Sequence, residues 1–195
     1  MLATAIVAAH SQAVPAWGAS PADAATPAAG QPAAAPAATP ASCLSSGDGY
    51  LRAHLAGAID TEIDWPNSGT RCEGAARRDP RGVRLTFARP GGSSPDLLFV
   101  FGITGVQEGE SAHALGVNLT VIVQGTSEIF GTLGDSRCTI DALTQRRLGT
   151  GDAYRLEARG FCTQPAHAVH GGGTLLVSRF DFAGIVSYPR DDDAS

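Results

Sequence analysis

Three carboxylates at alternate positions form the first candidate site, in the segment Asp60-Thr61-Glu62-Ile63-Asp64. Residues two apart in a β-strand share one face at a spacing of about 7 Å, which would align Asp60, Glu62 and Asp64. Carboxylate pairs perform acid and base catalysis in glycosidases when the surroundings keep one of them protonated. A row of three also suits Ca²⁺, whereas a cross-strand arginine such as Arg84 would make it a neutralised structural face. We favour the structural interpretation and keep the three residues as weak catalytic candidates.

Two histidines, His167 and His170, are the candidate metal ligands. Imidazoles three residues apart bind one metal where the chain turns, and the triple glycine that follows His170 indicates a turn. The sequence offers no evident third ligand, although His54 or His113 could approach in space. We therefore favour two exposed loop histidines, keep the pair as a weak metal candidate, and predict no cofactor.

Three other motifs contain residue types that can carry chemistry. Gly134-Asp135-Ser136 matches the Gly-Asp-Ser of serine hydrolases, but the residues that follow depart from that motif and favour a turn. Asn118-Leu119-Thr120 is an N-glycosylation sequon, which we discount because it lies in a predicted strand. Arg179 and Asp181 project away from Phe180. They would form a surface pair on a solvated face, or a ligand-orienting pair on a concave sheet.

The chain has four cysteines, and we predict that they form the disulfide bonds Cys43–Cys72 and Cys138–Cys162. Four cysteines allow three pairings, and this one closes the shortest loops. The close C-x₂-C spacing of zinc sites is absent. A rival interpretation makes Cys43 a lipidated N-terminus. The residues before it lack the expected leucine, so we do not expect a lipid anchor.

The N-terminal region differs in composition from the rest of the chain. Residues 1–18 begin with a short apolar run followed by small residues, which predicts a signal peptide. The usual basic start is missing, so either the start codon lies further upstream or the signal is atypical. Residues 19–42 carry 12 Ala and 5 Pro, which predicts a disordered linker. No apolar run reaches the roughly 20 residues of a transmembrane helix, and residues 191–195 form an acidic tail.

Charge and composition narrow the function further. All 14 basic residues are arginine, against 19 acidic residues, and the net charge is −5. Arginine without lysine, together with abundant Ala, Gly and Pro, indicates a GC-rich bacterial genome. An acidic chain without a basic cluster argues against nucleic-acid binding. With the signal and the paired cysteines, this predicts a periplasmic or secreted protein.

The body of the chain, residues 43–190, has the short alternating apolar segments of an all-β domain. The stretch 107–115 is the best candidate for a helical turn or a long loop. We prefer a single antiparallel β-sandwich, with a closed or partly open β-barrel as the alternative. Predicted strands lie at 59–65, 83–87, 97–101, 117–123, 138–143, 154–158, 174–177 and 180–188. In the 154–158 strand, Tyr154, Leu156 and Ala158 are expected to face inward and Arg155, Glu157 and Arg159 outward.

These features predict an exported bacterial protein without catalytic activity, which acts as a binding or envelope-associated module for an unknown protein or glycan ligand. The alternative is a secreted hydrolase that acts on glycans or the cell wall with the carboxylates of the 60–64 strand. A third possibility is a protein inhibitor or an immunity-type partner. Trp65 and Tyr188 are equally suited to a binding surface or the core. The loops expected to bind are 66–71, 105–116 and 163–173.

Overall fold

A computed structural model describes residues 41–78, 81–92 and 95–189, all within one unit of the chain, Ala38–Ser195. These residues form eleven β-strands and no helix. The strands are β1 (Tyr50–Gly57), β2 (Thr61–Pro66), β3 (Arg71–Arg77), β4 (Gly82–Ala88), β5 (Leu97–Thr104), β6 (Leu115–Val123), β7 (Ile129–Gly131), β8 (Cys138–Arg147), β9 (Ala153–Cys162), β10 (Ala166–Ala168) and β11 (Thr174–Ser187).

Some predictions fall outside that part of the chain. The signal peptide at 1–18, nearly all of the linker at 19–42 and the acidic tail at 191–195 lie outside the described residues. Across 41–78, 81–92 and 95–189, no helix has the length and apolar character needed to cross a membrane.

The all-β prediction is confirmed, and the sheet forms the barrel that was the alternative to the preferred sandwich. Seven strands pair in the closed order β3-β4-β5-β6-β8-β9-β11, and β11 returns to β3 through one parallel pair, Ser187↔Ala75. Closure is possible because β6 and β11 are long enough to change partners along their length. Sheet closure hides edges that two separate sheets would leave open.

Four strands lie outside this ring. The first half of β11 pairs with β1, which in turn pairs with β2. The short strands β7 and β10 fill the space between the end of β6 and the start of β11. On one side of the molecule this produces a continuous run of five neighbouring strands in the order β2-β1-β11-β9-β8.

The core is built by period-two alternation, which sends every second side chain inward. On β9, Tyr154, Leu156 and Ala158 are buried between more exposed polar neighbours, as the sequence predicts. The ring centroids of Phe101 and Phe182 lie 4.7 Å apart at the barrel centre. Close aromatic pairs of this kind contribute about 0.5–1.5 kcal/mol beyond the burial of their area.

Both disulfide bonds are present with the predicted pairing, Cys43–Cys72 and Cys138–Cys162. Cys138 and Cys162 are direct register partners on β8 and β9, so this bond ties two barrel strands. Cys43 lies before β1 and Cys72 on β3, so the other bond fixes the entry of the chain to the barrel. Two disulfide bonds are typical of proteins that fold in an oxidising environment.

Candidate functional site

A groove of about 900 Å³ crosses the outer face of the five neighbouring strands. We call it the charged groove. At one end of the groove, Tyr50 of β1 and Glu157 of β9 are both register partners of the buried Ala183 on β11, whose small side chain leaves space between the two longer ones. Its polar lining consists of Tyr50, Arg52, Glu62, Asp64, Asp141, Thr144, Glu157, Arg159, Arg179 and Asp181.

Charges of alternating sign form the central row of the groove. Strand register places Asp64, Arg52, Asp181 and Arg159 next to one another on β2, β1, β11 and β9. Arg52 lies between two carboxylates, with its Nε 3.3 Å from Asp64 Oδ1 and its Nη1 3.8 Å from Asp181 Oδ1. Arg159 is exposed and makes no hydrogen bond or ion pair with any described residue, so its guanidinium is available to a ligand.

A second row, two residues further along each strand, contains Glu62, His54 and Arg179. Arg179 Nη2 donates to Glu62 Oε1 at 3.1 Å, and His54 Nε2 lies 3.9 Å from the same oxygen. The other ring nitrogen of His54 hydrogen-bonds to Ser178 Oγ at 2.7 Å. The sequence left two alternatives open for Arg179 and Asp181, a solvated face and a concave sheet, and both residues line the groove.

The third row contains the Tyr50 phenol, which donates to Glu157 Oε1 at 3.3 Å. Burial, followed by the negative charges of Glu157 and Asp181, raises the pKa of Tyr50 to about 12. The guanidinium of Arg52 lies 4.8 Å from the centre of the Tyr50 ring. Tyr50 is therefore a neutral hydrogen-bond donor at neutral pH, held between its neighbours.

An arginine supports this end of the groove. The Arg155 side chain, only 14% exposed, makes ion pairs with Asp48 at 2.7 Å and Glu157 at 2.6 Å. A hydrogen bond from Ser46 lowers the pKa of Asp48 and burial raises it. Arg155 and Arg146 then lower it further, and the net shift is downward. The network connects the segment before β1 to β9 and fixes the position of Glu157.

The structure places two of the three candidate carboxylates in the groove. Glu62 and Asp64 extend from the outer face of β2, and Asp60 is exposed just before the strand. The side chains of Glu62 and Asp64 are 60% and 77% exposed, and each pairs with an arginine. The acid of a glycosidase lies in an apolar pocket, whereas Glu62 and Asp64 lie in solvent beside guanidinium groups.

The candidate histidines are separated from the groove lining. His167 lies on β10 and His170 in the turn after it, and both are exposed. His113 bonds through Nδ1 to the backbone oxygen of Asp141. Across 41–78, 81–92 and 95–189, no three His, Cys, Asp or Glu side chains gather in a group that would hold a metal ion.

The side chains of the remaining motifs make hydrogen bonds to neighbouring residues or pack in the core. Asp135 accepts a hydrogen bond from the Thr104 hydroxyl at 3.1 Å, in a turn that leads into β8. Asn118 lies on the exposed face of β6 and accepts a hydrogen bond from Thr132. Trp65 is a core residue, 7% exposed, and Tyr188 packs partly buried against the core.

The groove lies on strands, whereas the sequence predicts binding in loops. Tyr50 and Arg52 lie on β1, which is not among the predicted strands. For Arg159, the sequence predicts only that the side chain points outward from its strand. The sequence does show three charged side chains, Arg155, Glu157 and Arg159, on the outer face of one strand. Whether such a row forms part of a binding surface depends on which strands lie beside it.

The lining of the groove contains five carboxylates and three guanidinium groups, so its surface carries both signs with an acidic excess. Such a surface offers fixed hydrogen-bond donors and acceptors to a polar ligand. Comparison of the chain with protein-family models, with curated proteins and with solved structures finds no match.

Proposed function

We propose that this protein is an exported, non-catalytic binding protein and that the charged groove is its ligand-binding surface. The observation that carries the proposal is the pairing inside the groove, where Arg52 and Arg179 hold the exposed carboxylates Asp64 and Glu62. The paired side chains present donors and acceptors of both charges side by side on one surface, which suits recognition of a polar ligand. Both carboxylates are exposed and paired with arginines, and neither is enclosed in an apolar pocket like that of a glycosidase acid, so binding is a better account than glycan hydrolysis.

Export from the cytoplasm is supported by the two disulfide bonds, because such bonds persist in the periplasm and outside the cell. The apolar start and small residues of the first 18 positions support the same location from the sequence. The arginine-rich, lysine-free composition supports a bacterial source.

The ligand is expected to be polar and to carry both donors and acceptors. The groove volume of about 900 Å³ falls within the range of about 300–1,000 Å³ that ligand sites occupy. Arg159 provides an unpaired guanidinium, and the acidic excess favours a ligand that is not strongly anionic. Proteins and glycans both satisfy these conditions.

Ligand selection from two libraries tests the proposal. The protein is applied to a glycan array and to a displayed peptide library, and each retained ligand is titrated by calorimetry. The groove variant carries Arg52→Gln, Arg159→Gln and Arg179→Gln. The matched control carries Arg84→Gln, an exposed arginine on β4 that does not line the groove.

We expect ligands from at least one library to bind the native protein and the Arg84→Gln control equally. The groove variant should change affinity at least about tenfold, or about 1.4 kcal/mol: weaker for a ligand that contacts the guanidinium groups, and tighter for a basic ligand. If the groove variant binds these ligands as tightly as the native protein does, the ligand-binding surface lies outside the charged groove. Failure of both libraries would contradict a binding function, and cleavage of a retained glycan would favour the hydrolase.

A further inference from the structure

One strand of the sheet differs from the others in its pairing. Among the eleven strands of residues 41–78, 81–92 and 95–189, β2 is the one that pairs with a single neighbour, β1. The ten others have partners on both sides for at least part of their length. Every second residue of β2 therefore directs its backbone N–H and C=O away from the sheet. Pro66 has no N–H, and its carbonyl accepts a hydrogen bond from the Thr70 hydroxyl at 2.7 Å. The Glu62 carbonyl accepts a longer one, 3.5 Å, from the Thr61 hydroxyl.

The side chains of β2 divide cleanly between its two faces. Ile63 and Trp65 point into the core and are each 7% exposed, whereas Glu62 and Asp64 point into the charged groove. Arg179 and His54 approach Glu62 through Oε1, and Arg52 approaches Asp64 through Oδ1. The second oxygen of each carboxylate has no partner among the described residues. Each carboxylate can therefore accept another cation without losing the one it holds.

We propose that the free edge of β2 binds an extended segment of a protein partner that carries basic side chains at alternate positions. The partner segment adds a strand beside β2 through backbone hydrogen bonds, as in other cases of strand addition. Its basic side chains lie on the groove side and pair with the free oxygens of Glu62 and Asp64. The inference rests on the proposed function in one respect, since those side chains enter the charged groove.

Charge decides against a second copy of this chain as the occupant. Antiparallel pairing of two β2 strands centred on Ile63 would place Glu62 of each copy opposite Asp64 of the other, and like charges directly opposite destabilise a sheet. Edge charges normally prevent unwanted pairing in this way. The same two carboxylates select a strand of opposite charge, which gives specificity together with attraction.

Two other properties favour a basic protein segment over a glycan. A row of backbone donors and acceptors at strand spacing matches another polypeptide backbone. The acidic excess of the groove and the net charge of −5 attract a basic partner over a distance limited by salt screening. Binding should therefore weaken as salt concentration rises.

A synthetic peptide of alternating arginine and valine, blocked at both ends, tests the inference. A second peptide carries N-methyl groups on alternate amides, which removes strand pairing and keeps the charge. A third has glutamate in place of arginine. The full chain is compared with an edge variant, Glu62→Gln and Asp64→Asn, and with a control variant, Glu128→Gln and Asp96→Asn, whose acidic residues lie away from the groove lining.

We expect the arginine peptide to bind the native chain and the control variant alike. Affinity should fall about tenfold or more in the edge variant and with the N-methylated peptide, and the glutamate peptide should not bind. Hydrogen exchange should slow at alternate amides of β2. Equal binding of the N-methylated peptide, or no effect of the edge variant, would overturn the inference. If groove-dependent glycan ligands appear while the arginine peptide fails, the proposed function stands and this inference is wrong.

Discussion

Tyr50 and Glu157 are 107 residues apart in sequence, and the Tyr50 phenol donates a hydrogen bond to Glu157 Oε1 at 3.3 Å. The bond joins β1 to β9 across Ala183 of β11, the register partner of both residues. A larger residue at position 183 would occupy the space that the bond crosses. The contact therefore depends on three strands meeting at one small side chain.

Tyrosine titration is the first property that follows. The chain has three tyrosines, and the pKa of each is raised: that of Tyr50 and of Tyr188 to about 12, and that of Tyr154 upward, with burial as the largest cause. We expect the ultraviolet absorbance of tyrosinate at pH 10 to be weaker in the folded protein than in the unfolded chain, because Tyr50 and Tyr188 keep their protons there. Equal absorbance of the folded and unfolded chains at pH 10 would contradict this. The urea-unfolded chain, which should titrate near the ordinary value of about 10, is the control.

The same shifts predict how stability changes with pH. Unfolded tyrosines lose their protons near pH 10, whereas Tyr50 and Tyr188 of the folded protein keep theirs to about 12. Between these limits the folded state binds more protons, so the free energy of unfolding falls as pH rises. The contribution is fully present below pH 10. Urea unfolding between pH 9 and pH 12 measures it, and Tyr50→Phe should reduce the slope.

Arg155 should matter far more to stability than Arg146, although both contact Asp48. The Arg155 side chain is mostly buried and also pairs with Glu157. Arg146 is 62% exposed and lies 3.6 Å from Asp48. We expect Arg155→Gln to cost about 1–3 kcal/mol, because it removes charge-assisted bonds from two carboxylates. The matched Arg146→Gln should cost less than about 1 kcal/mol in the same urea experiment, and equal costs would show that burial is irrelevant here.

Asn67 is a polar anchor at the turn between β2 and β3. Its Oδ1 accepts hydrogen bonds from Leu44 N at 2.8 Å and Gly49 N at 3.0 Å, and its Nδ2 donates to Leu44 O at 3.0 Å. Asn67→Ala leaves all three backbone groups without this partner, so we expect a loss of about 2 kcal/mol. Asn67→Asp keeps the acceptor and should lose less. Ser68→Ala, at an exposed neighbour, should change stability by less than about 0.5 kcal/mol.

The strands that could be predicted from sequence are those with strong apolar alternation. Val83, Leu85 and Phe87 placed β4, and Val117 to Val123 placed β6. The strand β3 was missed because Arg-Cys-Glu-Gly-Ala-Ala-Arg has little apolar character. The strand β10 was missed because three residues in a Gly- and His-rich segment resemble a loop. The segments 174–177 and 180–188 proved to be the single strand β11.

The groove could not be predicted, because it depends on which strands become neighbours. The sequence correctly directed Arg155, Glu157 and Arg159 outward. Only the sheet topology shows that their strand, β9, lies across β11 from β1. The strand β1 begins more than 100 residues earlier in the chain than β9. The sequence could not decide between a sandwich and a barrel for the same reason. The barrel closes through one parallel pair between β11 and β3, which are far apart in the chain.

The two disulfide bonds should contribute nearly equally to stability if their main effect is on the unfolded chain. They close loops of similar length, with sequence separations of 29 and 24 residues, and each should stabilise by about 3 kcal/mol. Cys43→Ala with Cys72→Ala, and Cys138→Ala with Cys162→Ala, should therefore lower the free energy of unfolding to a similar extent in urea. Thiol labelling without reductant should find no free cysteine in the native protein. A difference above about 1 kcal/mol between the two losses would contradict a purely unfolded-state effect and would mean that one bond also holds native contacts. Loss of Cys43–Cys72 would then lower the free energy of unfolding more, because Cys43 adjoins Leu44, whose backbone is hydrogen-bonded to Asn67.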